Sequence, residues 1–210
     1  MSESDQITWW DQNISDHENY GGNINFAGKK FVVNLLSENC QSILDVGCGN
    51  GLVYKALKES GRQIPVYKGI DLSTLMIAAC QKLYPERNWV VGDANKIGEL
   101  DELYDDVLLF HIFESMDHYE DAIKGALKLA KNRVIIVFWQ ALTNREDDMV
   151  QPLPPNNFAT LYSASKFFKF IKELGFTHTP WVELYVEDFR YNLYVVLDVA
   201  HKRVETAGNL

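Results

Sequence analysis

The segment Asp45-Val46-Gly47-Cys48-Gly49-Asn50-Gly51 sets an acid and three alternate glycines at the end of an apolar run, residues 43–46. Such a run suits a central strand buried in a parallel sheet, and the glycines allow a turn at positive φ that brings backbone close to a ligand. The spacing also discriminates. A dinucleotide-binding turn follows G-x-G-x-x-G, whereas here Leu52 holds the last position and the third glycine arrives one residue early. That disfavours a nicotinamide dinucleotide. Two further acids close apolar runs, Asp71 in Gly69-Ile70-Asp71-Leu72-Ser73 and Asp93 in Val90-Val91-Gly92-Asp93-Ala94. The stretch Phe110-His111-Ile112-Phe113-Glu114-Ser115-Met116-Asp117-His118 adds candidate bases. An imidazole, or a carboxyl of raised pKa, takes a proton near neutral pH; His111 and Glu114 are the preferred pair, with His118 read as preceding the next helix.

These groups meet only if successive strands end at one edge of a sheet. The chain supplies that pattern. Apolar spacing predicts a helix over 26–39, a strand over 43–46, a helix over 52–60 stopped by Gly61, and a strand over 65–70. Ser73 then caps a helix to about residue 83, followed by strands at 88–91 and 104–110, a helix at 119–130 and a strand at 134–139. Strand and helix in alternation imply an α/β fold with a doubly wound, mostly parallel sheet covered by helices on both faces. Ligands bind such sheets at the carboxyl ends of the strands. A loop rich in Pro and Asn occupies 140–162, and Ser163 opens a helix that Gly175 closes. Two β-rich runs, 181–186 and 191–199, follow with a polar link too short for a parallel crossover, so they pair antiparallel.

The glycine segment resembles motif I of the class I (Rossmann-like) S-adenosylmethionine (SAM) dependent methyltransferases, of small-molecule type. That resemblance implies a seven-stranded sheet ending in the C-terminal antiparallel hairpin. It implies one domain over 1–210, with an N-terminal lid and helix at 1–40 and a Rossmann-like core at 41–210. It also implies SAM as cofactor and S-adenosylhomocysteine (SAH) as product. By position, Asp45, Gly47, Cys48, Gly49 and Gly51 would surround the methionine part, with the acid near its ammonium group. Asp71 would hold the ribose diol and Asp93, beside Ala94, the adenine amino group. Leu72 and Met76 would flank the adenine ring, and Phe110, His111 and Tyr20 would complete the cofactor contacts. A bound-but-inactive SAM protein and a nucleotide-dependent oxidoreductase remain the alternatives.

Composition bounds the partners. The chain has 210 residues, 47% hydrophobic and 23% charged, which fits one soluble domain with a good core. A formal net charge of -9 is unfavourable for a phosphate-backbone binder, so nucleic acid is not the expected partner. The acidic N-terminus lacks the order of a signal peptide and no apolar run spans a bilayer, so a cytoplasmic protein without membrane contact is expected. Cys40, Cys48 and Cys80 form neither an even disulfide set nor a metal pair. Trp139-Gln140 after the fifth strand offers no carboxylate for a hard cation, so no metal is expected.

The acceptor must be chosen by segments outside the core. The preface at 9–23 and the loop at 140–162 mix aromatic faces with amides, which suits a small polar molecule such as a sugar derivative. Trp10, His17, Arg145 and Tyr162 are the expected substrate contacts, and the preface the expected lid. Base methylation is not expected, because the Asn/Asp-Pro-Pro-aromatic signature of such enzymes is replaced by Phe110-His111-Ile112-Phe113.

Overall fold

The computed structural model describes residue 11 and residues 26–140, 142–153, 157–177, 181–186 and 190–200. Helix α1 (Phe26–Leu35) precedes β1 (Ser42–Val46), α2 (Leu52–Ser60), β2 (Val66–Asp71), α3 (Thr74–Leu83) and β3 (Asn88–Val91). Then come β4 (Tyr104–Phe110), α4 (Glu120–Leu129), β5 (Ala130–Phe138), β6 (Met149–Leu153), β7 (Asn157–Leu161), α5 (Ala164–Glu173), β8 (Trp181–Val186) and β9 (Arg190–Asp198). The fold is α/β. The main sheet runs β3-β2-β1-β4-β5-β9-β8, with parallel pairing from β3 to β5 and antiparallel pairing of β9 to both β5 and β8.

Local chemistry explains where the elements stop. Helix α2 lies between Gly51 and Gly61, both left-handed at φ 79 and 75, a conformation that costs little only for glycine. Ser73 caps α3 by accepting from the Met76 N–H, and Ser163 caps α5 by accepting from that of Lys166. Side chains alternate along the strands, so two cores form. Leu44, Leu109 and Ile136 face one cluster with Ile123 of α4 and Phe167 of α5, while Ile43, Leu108 and Ile135 face the other with Val32 of α1 and Leu57 of α2. Helices therefore cover both faces.

Two expectations are corrected. The segment expected to be a Pro- and Asn-rich loop contains an antiparallel hairpin, in which Met149 pairs with Leu161 and Leu153 with Asn157. Pro152 masked it, since proline weakens a strand reading although an edge strand tolerates it. Strand β5 begins at Ala130 rather than 134. Its first residues are polar because they tie the lower edge of the sheet: Lys131 pairs with Asp105 at 2.8 Å, and the Arg133 guanidinium donates to the Leu35 carbonyl at 2.7 Å. Among the described residues no helix is long and apolar enough to cross a membrane.

Candidate functional site

A cavity of about 430 Å³ opens at the carboxyl ends of β1, β2, β3 and β4. The sheet order reverses between β1 and β4, and a cleft at that switch point is where open α/β sheets bind ligands. One wall is the glycine turn. Gly47 and Gly49 have φ 71 and 52, and the N–H groups of Gly47 and Cys48 both donate to the Ile70 carbonyl, at 2.7 and 3.0 Å. A side chain at Gly47 would collide with Ile112, its Cβ falling 1.9 Å from Cγ2, whereas a Cβ at Gly49 would meet nothing within 4 Å. Backbone is thus exposed to the cavity at Gly49.

Asp71 binds the turn to the next strand. One carboxylate oxygen accepts from the Gly49 N–H at 2.8 Å and the other from the Ser73 N–H at 2.9 Å. A third backbone donor, the Leu72 N–H, also reaches this carboxylate, which lines the cavity. Burial raises its pKa, opposed by those backbone donors. Asp93 has a similar place after β3, accepting from the Asn95 N–H at 2.9 Å and pairing with Lys96 at 3.4 Å. The Asn95 side-chain oxygen, in the same wall, is buried and accepts no hydrogen bond.

Asp45 lies behind the wall rather than in it. It is fully buried, and the Tyr67 hydroxyl donates to it at 2.5 Å. Desolvation raises its pKa to about 7, against the lowering effects of Tyr67 and Lys29. Lys29, from α1, lines the cavity instead, with its ammonium 4.8 Å from the Phe110 ring centre. Burial lowers the Lys29 pKa to about 8, and Asp45 opposes the shift. Helix α1 is held in place from β9, where the Tyr194 hydroxyl donates to the Gly28 carbonyl at 3.1 Å.

The segment after β4 divides its candidate bases. His111 lines the cavity at φ 58, a strained conformation for a non-glycine residue, and its N–H donates to the Val137 carbonyl at 2.8 Å. Glu114 is turned away. It is 2% exposed, and one carboxyl oxygen accepts from the N–H groups of Trp139 and Gln140 at 2.6 and 3.2 Å. Desolvation raises its pKa to about 8, so the group orders the end of β5 and does not face the cavity. His118 does face it, together with Asp117. Its Nδ1 lies 2.5 Å from Asp117 and its Nε2 3.6 Å from Asp121.

Of the residues expected from sequence, Gly47, Cys48, Gly49, Asp71, Leu72, Met76, Asp93, Ala94, Phe110 and His111 line the cavity. Asp45, Gly51, Glu114, Arg145 and Tyr162 do not. Gly51 is the N-cap of α2 and packs near Cys80 and Tyr84. Tyr162 is buried and its hydroxyl donates to the carbonyls of Phe113 and Met116 at 2.9 and 2.7 Å, which is an anchoring role. The Arg145 carbonyl accepts from the Ser163 hydroxyl at 2.6 Å. Trp10, His17 and Tyr20 lie outside the described residues. Sequence reasoning missed Lys29 and Asn95, and it left Phe158 within the expected loop at 140–162; Phe158 reaches the cavity from β7. Among the described residues no acid, His and Cys cluster could hold a metal ion.

Comparison with known proteins agrees with this geometry. Residues 44–138 match the methyltransferase domain family. Demethylmenaquinone methyltransferase of Thermotoga maritima is 24% identical over 173 residues, 81% of this chain and 68% of that protein. Among solved structures, a DhpI–SAH complex superposes with a TM-score of 0.64 at 15% identity, covering 92% of this chain and 95% of that one. The N-terminal domain of EvdMO1, solved with SAH and D-fucose, gives 0.62 at 14% identity, with 83% and 82% covered. At such identities the structural likeness concerns the fold.

Proposed function

We propose that this chain, whose residues 44–138 match the methyltransferase domain family, uses SAM to methylate an oxygen or nitrogen of a small polar molecule. The observation that carries the reading is one cavity bounded at once by the glycine turn, Asp71 and Asp93, the ends of three successive strands. The residues fit the cofactor: bare backbone at Gly49, the Asp71 carboxylate in the cavity wall and the buried acceptor of Asn95 are suited to its amine, hydroxyl and adenine amino donors. Lys29 is suited to the methionine carboxylate, and Leu72 with Met76 to the adenine faces. When bound, SAM supplies an already activated methyl group. The chain then has to bind the acceptor, exclude water and align the two groups, which is worth several kcal/mol through orientation alone.

The acceptor wall is partly apolar, with Ile112, Met116 and Phe158, and partly polar, with Ser115, Asp117 and His118. That mixture suits a small polar organic molecule such as a sugar derivative, and the D-fucose in the EvdMO1 structure is in keeping with it. A net charge of -9 goes with a protein acting without nucleic acid. The chain works as one domain, with the preface at 9–23 as its lid. Titration calorimetry with SAH and NAD tests the cofactor: micromolar SAH binding is expected, and NAD binding without SAH binding would overturn the reading. Transfer of labelled methyl from SAM to hydroxylated and amino compounds tests turnover.

A further inference from the structure

Glu114, buried and occupied by two backbone donors, leaves the cavity without its expected carboxyl base. His118 stands in its place. Its side chain is 43% exposed at the cavity wall, Nδ1 is 2.5 Å from Asp117 and Nε2 is 3.6 Å from Asp121. A carboxylate at hydrogen-bond distance holds the proton on Nδ1, because only a donor can satisfy that contact. Nε2 is then the basic nitrogen. Once protonated it lies between two carboxylates, Asp117 on one side and Asp121 on the other, so the imidazolium forms beside negative charge on both edges. Helix α4 makes this arrangement rigid: it begins at Glu120, directly after His118 and Tyr119, and the Tyr119 ring is buried against Tyr162, Phe167 and Phe170.

We propose that His118, held by Asp117, is the catalytic residue that takes the proton from the methyl acceptor, an alcohol or amine whose reacting atom carries hydrogen. The acceptor's O–H or N–H bond breaks and its proton goes to Nε2; the acceptor's lone pair forms the new bond to the methyl carbon; the pair of the broken carbon–sulfur bond stays on sulfur. Water at the exposed edge of the ring later removes the proton. His111 is less suited to this task, since its backbone is strained and its ring lies tilted against that of Phe110, with centres 4.1 Å apart. This inference rests on the methyltransferase reading for its substrate but on the His118 geometry for its chemistry.

The test uses the full chain with three readouts. Nitrogen NMR of labelled imidazoles in the cofactor-free protein in alkaline solution, assigned by loss of a signal in H118Q, should show the single His118 ring proton on Nδ1. The tautomer with the proton on Nε2 would overturn the proposal whatever else is found. SAH should bind H118Q within about twofold of wild type by calorimetry, and the variant should unfold at nearly the wild-type temperature, as surface changes usually do. With SAM and a panel of simple alcohols and amines, H118Q should slow methyl transfer by roughly 10²- to 10⁴-fold, the range for a lost general base. Equal turnover by H118Q and wild type would also overturn the proposal. Absence of SAH binding in the wild type would instead defeat the methyltransferase reading and leave the tautomer result standing.

Discussion

The Gly49 N–H donates to the Asp71 carboxylate at 2.8 Å, so the turn that ends the first strand and the acid that ends the second are one unit. The same carboxylate accepts from Ser73, whose hydroxyl caps α3. A ligand that bonds Asp71 therefore also senses the position of the glycine turn. Replacing Asp71 by Asn puts donors where one of two backbone donors must be received. SAH affinity should fall tenfold or more, about 1.4 kcal/mol, measured by calorimetry. Unchanged affinity would remove Asp71 from the site.

The two glycines of the turn should respond differently. G47A places Cβ 1.9 Å from Ile112 Cγ2 at positive φ, and should yield little folded protein. G49A meets nothing within 4 Å and carries only the left-handed penalty of about 1–2 kcal/mol. It should fold, with a lowered melting temperature, and lose SAH binding because the methyl group covers the exposed backbone. Thermal denaturation followed by SAH titration separates the two cases.

Glu114 is expected to be structural. E114Q keeps an acceptor for Trp139 and Gln140 and should retain methyl transfer, while E114A leaves two buried donors unpaired and should cost about 2–4 kcal/mol of stability. The pH dependence has a definite sign. A carboxyl at about 8 in the folded chain and near 4.5 unfolded binds protons more tightly when folded, so its contribution to stability falls as pH rises from about 4.5 to 8. E114Q should flatten the denaturant-measured stability over that window, by on the order of a few kcal/mol. A steep loss of activity in E114Q with intact stability would return Glu114 to the role of base.

Asp45 carries the same sign over a lower window. Its pKa is about 7 in the folded chain against 3.8 for the ordinary group, so its contribution is present at low pH and declines between about 4 and 7. D45N, which still accepts from Tyr67, should reduce that decline in urea titrations at pH 4 and pH 7. Lys29 runs the other way along the scale. Its ammonium, lowered to about 8, is costly to fold below that pH, so its contribution improves as pH rises from about 8 to 10.5. K29M should remove that rise, and should weaken SAH binding if the ammonium meets the methionine carboxylate.

Much of the fold was legible because its signals are local. Gly61, Ser73 and Ser163 bound helices through contacts within four residues, and the strands at 88–91 and 104–110 begin and end as their apolar runs do. The hairpin at Met149–Leu161 was not legible. Its strands carry Pro152 and mixed polar residues, and what they gain comes from pairing with each other and from β7 packing near the segment at 113–115. Phe158 was accordingly read as part of a loop, although it forms part of the cavity wall.

By itself the sequence determined the glycine turn, the acids Asp71 and Asp93 at the following strand ends, and the alternation that brings those ends to one edge. Each follows from residue type and spacing along a few positions of chain. Only the tertiary structure decided which side chains face the cavity. Asp45 is sealed behind it by Tyr67, Lys29 is delivered into it by a helix anchored from the last strand, and Glu114 and His118, four residues apart, point to different places. The reason is physical: the side on which a turn presents a side chain is settled by the distant backbone donors and aromatic rings that pack against it, and sequence spacing does not encode those neighbours.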